Sequence, residues 1–346
     1  MNERKIRILE AIINDYIQTG EPVGSRTIAK KYNIGISSAT IRNEMADLEE
    51  LGYIEHIHSS SGRIPSDLGY RLYVDELMKV KKLSLEEELI IKSKLLSEAL
   101  YQIDKIVESA TSLLSDLTKL ACIVKAPSMK RSFVKCIQLL KIDGNNVLVI
   151  IVTDSGIIKN NVIRINQSVD KINLEKLSYL LNMRLKGLTV DDIDLEVINN
   201  IKNDFIGHDD IFNALIPTIY DSLKSMETPQ VYSTGETNIF NYNEYNDVEK
   251  ARTFLELINN QDYIKDLLEN SMGGDNKLSI IIGEENKIEE AKDCSIISAV
   301  YSVKDRPLGV IGVIGPKRIR YDKIIPLLKE FIDELDRKLN DIYYDY

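Results

Sequence analysis

What most constrains this chain is the punctuation of its first 65 residues. Short runs of helical periodicity, separated by glycine-bearing breaks, give way to an alternating run that turns back on itself. Ile6, Leu9, Ile13 and Tyr16/Ile17 recur at helical spacing, and Gly20 supplies a stop. Glu21-Pro22-Val23-Gly24 reads as a turn, and Ser25 suits the N-cap of a short helix ending near Tyr32. Asn33-Ile34-Gly35 breaks the pattern again. Ser37 then suits the N-cap of a third helix with Ile41, Met45 and Leu48 on its buried stripe, closing at Gly52. Tyr53 to Ile57 alternates like a strand, Ser59-Ser60-Ser61-Gly62 is a tight polar turn, and Arg63-Ile64-Pro65 returns. Three short helices followed by a hairpin predict a winged helix-turn-helix.

Behind it, residues 66–82 read as an exit helix that runs into a charged, solvated link from Lys79 to Lys82. Ser84-x-x-Glu87 is a capping box opening a helical stretch to about Leu120. From about Ser132 the period becomes strand-like. Phe133–Leu140, Val147–Val152 and Ile157–Ile165 form a meander, with turns at Asp143-Gly144-Asn145 and Asp154-Ser155-Gly156. Helical segments follow from Asn173 to about Met226. A short strand is expected at Val231-Tyr232-Ser233, then helices to about Asn270. Strand-like runs come at 277–283, 295–303 and 308–314, and a final amphipathic helix at about 321–342. The fold class is α+β and multidomain.

Charge and residue usage narrow the function. The net charge of −10 argues against a basic nucleic-acid coat, but residues 1–82 carry 12 Lys+Arg against 12 Asp+Glu, so the body holds all the excess. A neutral head on an acidic body points to the head as the part that meets an anion. Cys122, Cys136 and Cys294 are scattered, which predicts neither a disulfide framework nor a metal or redox motif. Three histidines thin the prospects for acid–base chemistry. No apolar run reaches the ~18–20 residues of a membrane span, and residues 1–9 show no secretory signal; a reduced, cytoplasmic setting is expected.

In a helix-turn-helix the N-terminal residues of the second helix meet base edges in the major groove. Here that helix begins Ser37-Ser38-Ala39-Thr40-Ile41-Arg42-Asn43, and helical phase puts Ala39 and Asn43 opposite the buried Ile41, flanked by Thr40 and Arg42. Arg suits guanine, Asn suits adenine, and Ala or the Thr methyl suits a thymine methyl. Glu44, Asp47, Glu49 and Glu50 weaken the electrostatic footprint, although they fall in the C-terminal half. The wing run Ser59-Ser60-Ser61-Gly62-Arg63 is small enough to approach a phosphate backbone, and its Arg can enter a narrow minor groove. A winged helix used for protein contact, with an ordinary solvated wing, is the plainer alternative. His56 and His58 share a strand face without the further ligands a metal needs. Gly309-x-x-Gly312-x-x-Gly315 followed by Pro316-Lys317-Arg318 fits no phosphate-loop pattern, and glycines inside a strand more often permit close backbone approach. His208 has no paired nucleophile, so an enzyme is not expected and no cofactor or metal is implied.

Three blocks carry a resemblance. They are Glu21-Pro22-Val23-Gly24-Ser25-Arg26-Thr27-Ile28-Ala29, Ser38 to Glu49, and Ser61-Gly62-Arg63-Ile64-Pro65 to Asp75. Together they resemble HrcA, the bacterial heat-inducible transcription repressor family. The similarity continues at 235–240, 282–286, 294–301 and 309–318, so it spans essentially the whole chain; Ile57, Lys317 and Ile319-Arg320 depart from the residues usual there. The resemblance implies a winged-helix DNA-binding domain at 1–82, a discontinuous GAF-like α/β domain at 83–127 and 229–346, and an inserted α+β dimerisation domain at 128–228. It also implies a homodimer that represses chaperone operons at an inverted-repeat operator, the CIRCE element, and is held active by the GroE chaperonin. The expected DNA contacts are Ser25, Arg26, Ser38, Ala39, Thr40, Arg42, Asn43, His58, Ser60 and Arg63. The rival readings are a regulator of another regulon that senses a small ligand through the GAF-like domain, and a protein-binding winged-helix adaptor.

Overall fold

The computed structural model describes residues 1–32, 34–56, 62–97, 103–126, 133–154, 158–166, 169–227, 231–269, 277–303 and 306–344. The sequence-read break at Asn33, the wing tip at 59–61 and the turn at 155–156 lie outside the described residues.

The head consists of α1 (Glu3–Thr19), α2 (Ser25–Lys31), α3 (Ser38–Glu50), the antiparallel hairpin β1 (Ile54–His56) and β2 (Arg63–Pro65), and α4 (Asp67–Leu72). Gly20 ends α1 in the left-handed region, its amide donating to the Tyr16 carbonyl at 2.8 Å. Ser37 and Ser66 cap α3 and α4 with their hydroxyls. At α2 the expectation is corrected: Gly24 is the N-cap, and Ser25 is the first helical residue. Val23 and Arg63 exchange backbone hydrogen bonds at 2.8 and 2.9 Å, which ties the hairpin to the turn before α2. The exit helix is broken, since a π-helical turn (Tyr73–Leu77) follows α4. Nor is the link simply solvated. The Lys81 amide donates to the Asp322 carbonyl and its ammonium lies 3.1 Å from that carboxylate.

The body begins with α5 (Leu85–Ser97), α6 (Ile103–Thr118) and β3 (Ala121–Lys125). The Ser84–Glu87 capping box is present, each residue accepting from the other's backbone amide. A separate unit follows, made of β4 (Val134–Lys141), β5 (Asn146–Thr153), β6 (Ile158–Arg164), α7 (Lys171–Leu185), α8 (Leu195–Asp204) and α9 (Asp209–Glu227). The chain then returns through β7 (Val231–Thr234), α10 (Val248–Asn259), α11 (Gln261–Glu269), β8 (Leu278–Ile282), β9 (Cys294–Val303), β10 (Arg306–Pro316) and α12 (Tyr321–Tyr344). The sheet β7-β3-β10-β9-β8 is antiparallel throughout and joins strands from both sides of the intervening unit.

One face of that sheet, with Cys122, Val124, Ile311 and Val313, shares a continuous apolar core with α5, α6, α12 and the head helices. The other face, with Ala121, Ile123, Val310 and Ile314, packs on α10 and α11. β3 escaped the sequence reading because all five residues are buried and no alternation marks it. The glycines of β10 let backbones close up. A Cβ at Gly309 would sit 2.3 Å from both the Lys125 carbonyl and the Tyr301 hydroxyl.

In the intervening unit β5 alternates strictly. Val147, Val149, Ile151 and Thr153 are buried in a core of the unit's own, built with α7, α8 and α9. Its opposite face carries Leu148, Ile150 and Val152, beside Leu140 and Cys136 on β4 and Val162 and Ile158 on β6. That face is uncovered among the described residues, with Val162 59% and Leu140 38% exposed. The free edge of β4 is closed by side chains of α7. Asn182 accepts from the Ile137 amide at 2.8 Å and donates to its carbonyl at 2.6 Å, and Ser178 accepts from the Leu139 amide at 2.9 Å. No helix among the described residues is long and apolar enough to cross a membrane.

Gly309→Ala is expected to destabilise the body by about 1–3 kcal/mol through overpacking. Gly144→Ala, where nothing lies within 4 Å of the added carbon, should stay within about 0.5 kcal/mol. Urea unfolding followed by circular dichroism distinguishes the two.

Candidate nucleic-acid interface

The outer face of α3 follows from helical phase around its buried stripe. Ile41, Met45 and Leu48 are buried, and Ala39, Arg42, Asn43 and Ala46 are exposed on the opposite side. Ser37 starts the helix, accepting from the Thr40 amide at 3.1 Å while its hydroxyl pairs with that of Thr40 at 3.0 Å. Thr40 is thus half-buried with its hydroxyl committed to the cap, leaving its methyl for contact. Ser38 is half-buried beside it. Ser25 and the exposed Arg26 stand at the start of α2, where the Gly24 cap brings no side chain of its own.

Three of the four acidic residues of α3 are paired from its flanks, while Glu50, exposed at the C-terminal end on the side of Ala46 and Asn43, shows no ion pair among the described residues. On one flank Glu44 meets Arg4 and Lys5, and Asp47 meets Lys5 at 2.9 Å. The Asp47 hydrogen bond is the main reason the Lys5 ammonium titrates above its ordinary range. On the other flank Glu49 receives Arg63 at 2.6 and 2.9 Å and lies 3.5 Å from His56 Nε2. Arg7, Arg26 and Arg42 show no ion pair among the described residues. They stand exposed beside acids that are also without an ion pair among the described residues, Glu3, Glu21, Glu50 and Glu55, so the pairing clears charge from the flanks of α3 without giving the whole head a sign. The pairings escaped the sequence reading because their partners lie as far as 40 residues apart, with no local spacing to mark them.

Arg63 differs from the expectation in its present engagement. Its guanidinium joins Glu49 of α3 to His56 of β1, with Nη1 2.7 Å from His56 Nδ1, and its backbone pairs with Val23. It sits at the root of the wing as a strut between hairpin and recognition helix. His58 and Ser60 lie outside the described residues. The structure thus brings Ala39, Arg42 and Asn43 together on one exposed surface, with Thr40 and Ser38 at its rim. Elsewhere, Cys122 and Cys294 are buried, and burial pushes both thiols up, Cys294 to about 12, so neither is a poised nucleophile. No cluster that could hold a metal occurs among the described residues.

Comparison with known proteins bears on both parts of the chain. Residues 2–73 match the family described as winged helix-turn-helix transcription repressor, HrcA DNA-binding, and residues 104–325 match the HrcA protein C terminal domain. A heat-inducible transcription repressor HrcA from Clostridium acetobutylicum is 53% identical over 340 residues, covering 98% of each chain. The protein of that name from Clostridium tetani is 51% identical over 342 residues, covering 99% of this chain and 96% of its own. The one from Ruminiclostridium cellulolyticum is 41% identical over 343 residues. A crystal structure of a hypothetical protein at 2.2 Å resolution shares the fold, with a TM-score of 0.71 at 24% identity and 99% of each chain covered.

Removing the strut should cost stability without touching the exposed face. Arg63→Ala leaves Glu49 without its main partner and is expected to destabilise the head by about 1 kcal/mol. Arg42→Ala should change stability by less than about 0.5 kcal/mol. Thermal melts of the full chain without DNA read both.

Proposed function

The chain belongs to the HrcA family of heat-inducible transcription repressors, a family of DNA-binding regulators and not of enzymes, and from that premise we propose which of its residues do the binding. Arg42 and Asn43 read base edges in the major groove, with Ala39 and the Thr40 methyl against thymine methyls and Ser38 at the helix start. Ser25 and Arg26 take backbone phosphates. On the wing, His58 and Ser60 approach the backbone, and Arg63 holds the wing against α3 and meets the minor groove only if Glu49 releases it. The observation that supports this reading is the exposed Ala39–Arg42–Asn43 surface, free of ion pairs among the described residues and flanked by Glu44, Asp47 and Glu49, each paired with a cation.

In this reading residues 1–82 are the DNA-binding head, 83–127 and 229–346 a GAF-like body, and 128–228 an inserted dimerising unit. A second copy covers the bare sheet face of that unit, because its apolar rows, Leu140–Leu148–Val162 and Cys136–Val152–Ile158, have nothing over them among the described residues. Two-fold symmetry then matches an inverted-repeat operator, the CIRCE element, in front of chaperone operons. Heat acts by misfolding. The body must close its sheet across the inserted unit, which slows folding, and any monomer exposes the apolar face. Chaperonin of the GroE type restores the active fold.

Measured on an operator fragment, Arg42→Ala is expected to lose about 1–3 kcal/mol and to relax base preference. Arg63→Ala should weaken all sequences alike, and wild-type binding should fall steeply with salt. Unchanged affinity in both variants would refute the assignment. The same assay after a brief heat pulse, with and without chaperonin and ATP, should show recovery only with them.

Val162→Glu, which puts a charge on an exposed position, should yield a folded monomer in sedimentation equilibrium at micromolar concentration. A variant that stays dimeric overturns the placement of the interface.

A further inference from the structure

The run Lys317-Arg318 after the glycines of β10 has no place in DNA reading, yet the segment it opens touches the head repeatedly. Lys317 Nζ lies 2.7 Å from Asp67 Oδ1 at the start of α4. Arg318, 9% exposed, is paired with Glu244, stacked over Tyr242 at 5.1 Å, and directed at the Ile17 carbonyl near the end of α1. Tyr321 packs its buried ring on Tyr70 of α4, centroids 6.0 Å apart. Asp322 takes both the amide and the ammonium of Lys81 in the link. Burial alone would raise the Asp322 carboxyl, but hydrogen bonds from Arg320 and Lys81 outweigh it and hold the group below its ordinary range.

Beside this segment the turn after β8 completes the seam. Arg71 of α4 makes a two-pronged pair with Glu285 and donates to the Ile280 carbonyl at 2.7 Å, and the Glu284 amide donates to Asp67 at 2.8 Å. The approach is close enough that a Cβ on Gly283, whose φ is +54°, would fall 2.0 Å from Asp67 Oδ2.

Three separate parts of the head are therefore held by the body: the end of α1, α4 and the link. Without those holds and the apolar core beneath them, the head would hang on residues 78–84. Seven residues reach at most about 25 Å, more than the ~17 Å of half a DNA turn. A tethered head could follow a half-site displaced by half a turn, and a held head cannot.

We propose that residues 317–322, with Arg71 and Asp67 opposite, fix the angle of the recognition helix on the body, and that Arg71, Lys317 and Arg318 are positioning residues that set which half-site spacing the repressor accepts. The proposal rests on the two-headed reading above. It concerns geometry and not base contact, so its mark is spacing discrimination at unchanged half-site affinity.

The test uses the full chain and three kinds of duplex: a single half-site, the inverted repeat at its natural spacer, and the repeat with about five base pairs added, half a turn. Wild type should bind the natural repeat at least about tenfold tighter than the shifted one, since two fixed heads gain avidity only where both can engage. Arg71→Ala and Lys317→Ala, both on the rim of the seam, should bind the single half-site within about twofold of wild type while their spacing ratio falls below about threefold. The charge exchange Arg71→Glu with Glu285→Arg should restore the ratio, which a merely destabilised head would not do. Variants that keep the wild-type ratio, or that lose half-site and repeat binding in equal measure, overturn the proposal. A wild type indifferent to spacing overturns the two-headed reading and this proposal with it.

Discussion

The pairing of β3 with β10 is the constraint on which the rest depends. It sets Cys122 opposite Val313 and Val124 opposite Ile311, and the Cys122 thiol adds a contact to the Gly312 carbonyl at 3.2 Å. The unit from β4 to α9, which lies between these strands, folds around an apolar core of its own, so it can be ordered before the pairing forms. The body cannot, because α6 arrives on one side of the gap and α12 on the other. Only when β3 has inserted between β7 and β10 do both faces of the sheet find their helices. The small residues of β10 follow from this, since a central strand gripped on both edges has no room for a side chain at Gly309.

The head depends on the body in turn. Its helices share one apolar core with α12, so the two are packed as a unit. Within the head, the charge beside α3 depends on how side chains are paired and not on how many there are. Arg4, Lys5 and Arg63 are spent on Glu44, Asp47 and Glu49, which quiets the acids beside the recognition surface. The cations left over lie where helical phase turns them outward.

Most of the architecture was legible from the residues, and the exceptions have a common cause. The winged helix, the capping box at Ser84, the three-stranded meander and the late strands announce themselves through local period and turn chemistry. β3 does not, because a strand buried on both faces has no period of two. Ser25 looks like a cap by residue type, but the backbone places Gly24 there. The exposed trio Ala39, Arg42 and Asn43 could be read from phase alone. The role of Arg63 at the wing root could not, since it is decided by Glu49 fourteen positions away and by the bend of a hairpin. The same holds for Lys81, Lys317 and Arg318, whose partners come from the far end of the chain or from the head.

The side chains that close the edge of β4 have a consequence for assembly. Asn182 imitates a neighbouring strand, offering one acceptor and one donor to Ile137, so no further strand can hydrogen-bond there. At the opposite edge, β6 carries Lys159 and Arg164 amid asparagines, a composition that resists stacking. With one rim sealed and the other charged, the sheet can be met by another molecule across its flat side but not extended along its margin. Contact across a face is satisfied once both faces meet, whereas contact along an edge always leaves a new edge open. Any association through this sheet would therefore close at a finite number and would not grow into a fibre, even at the high local concentrations of unfolding chains that accompany heat.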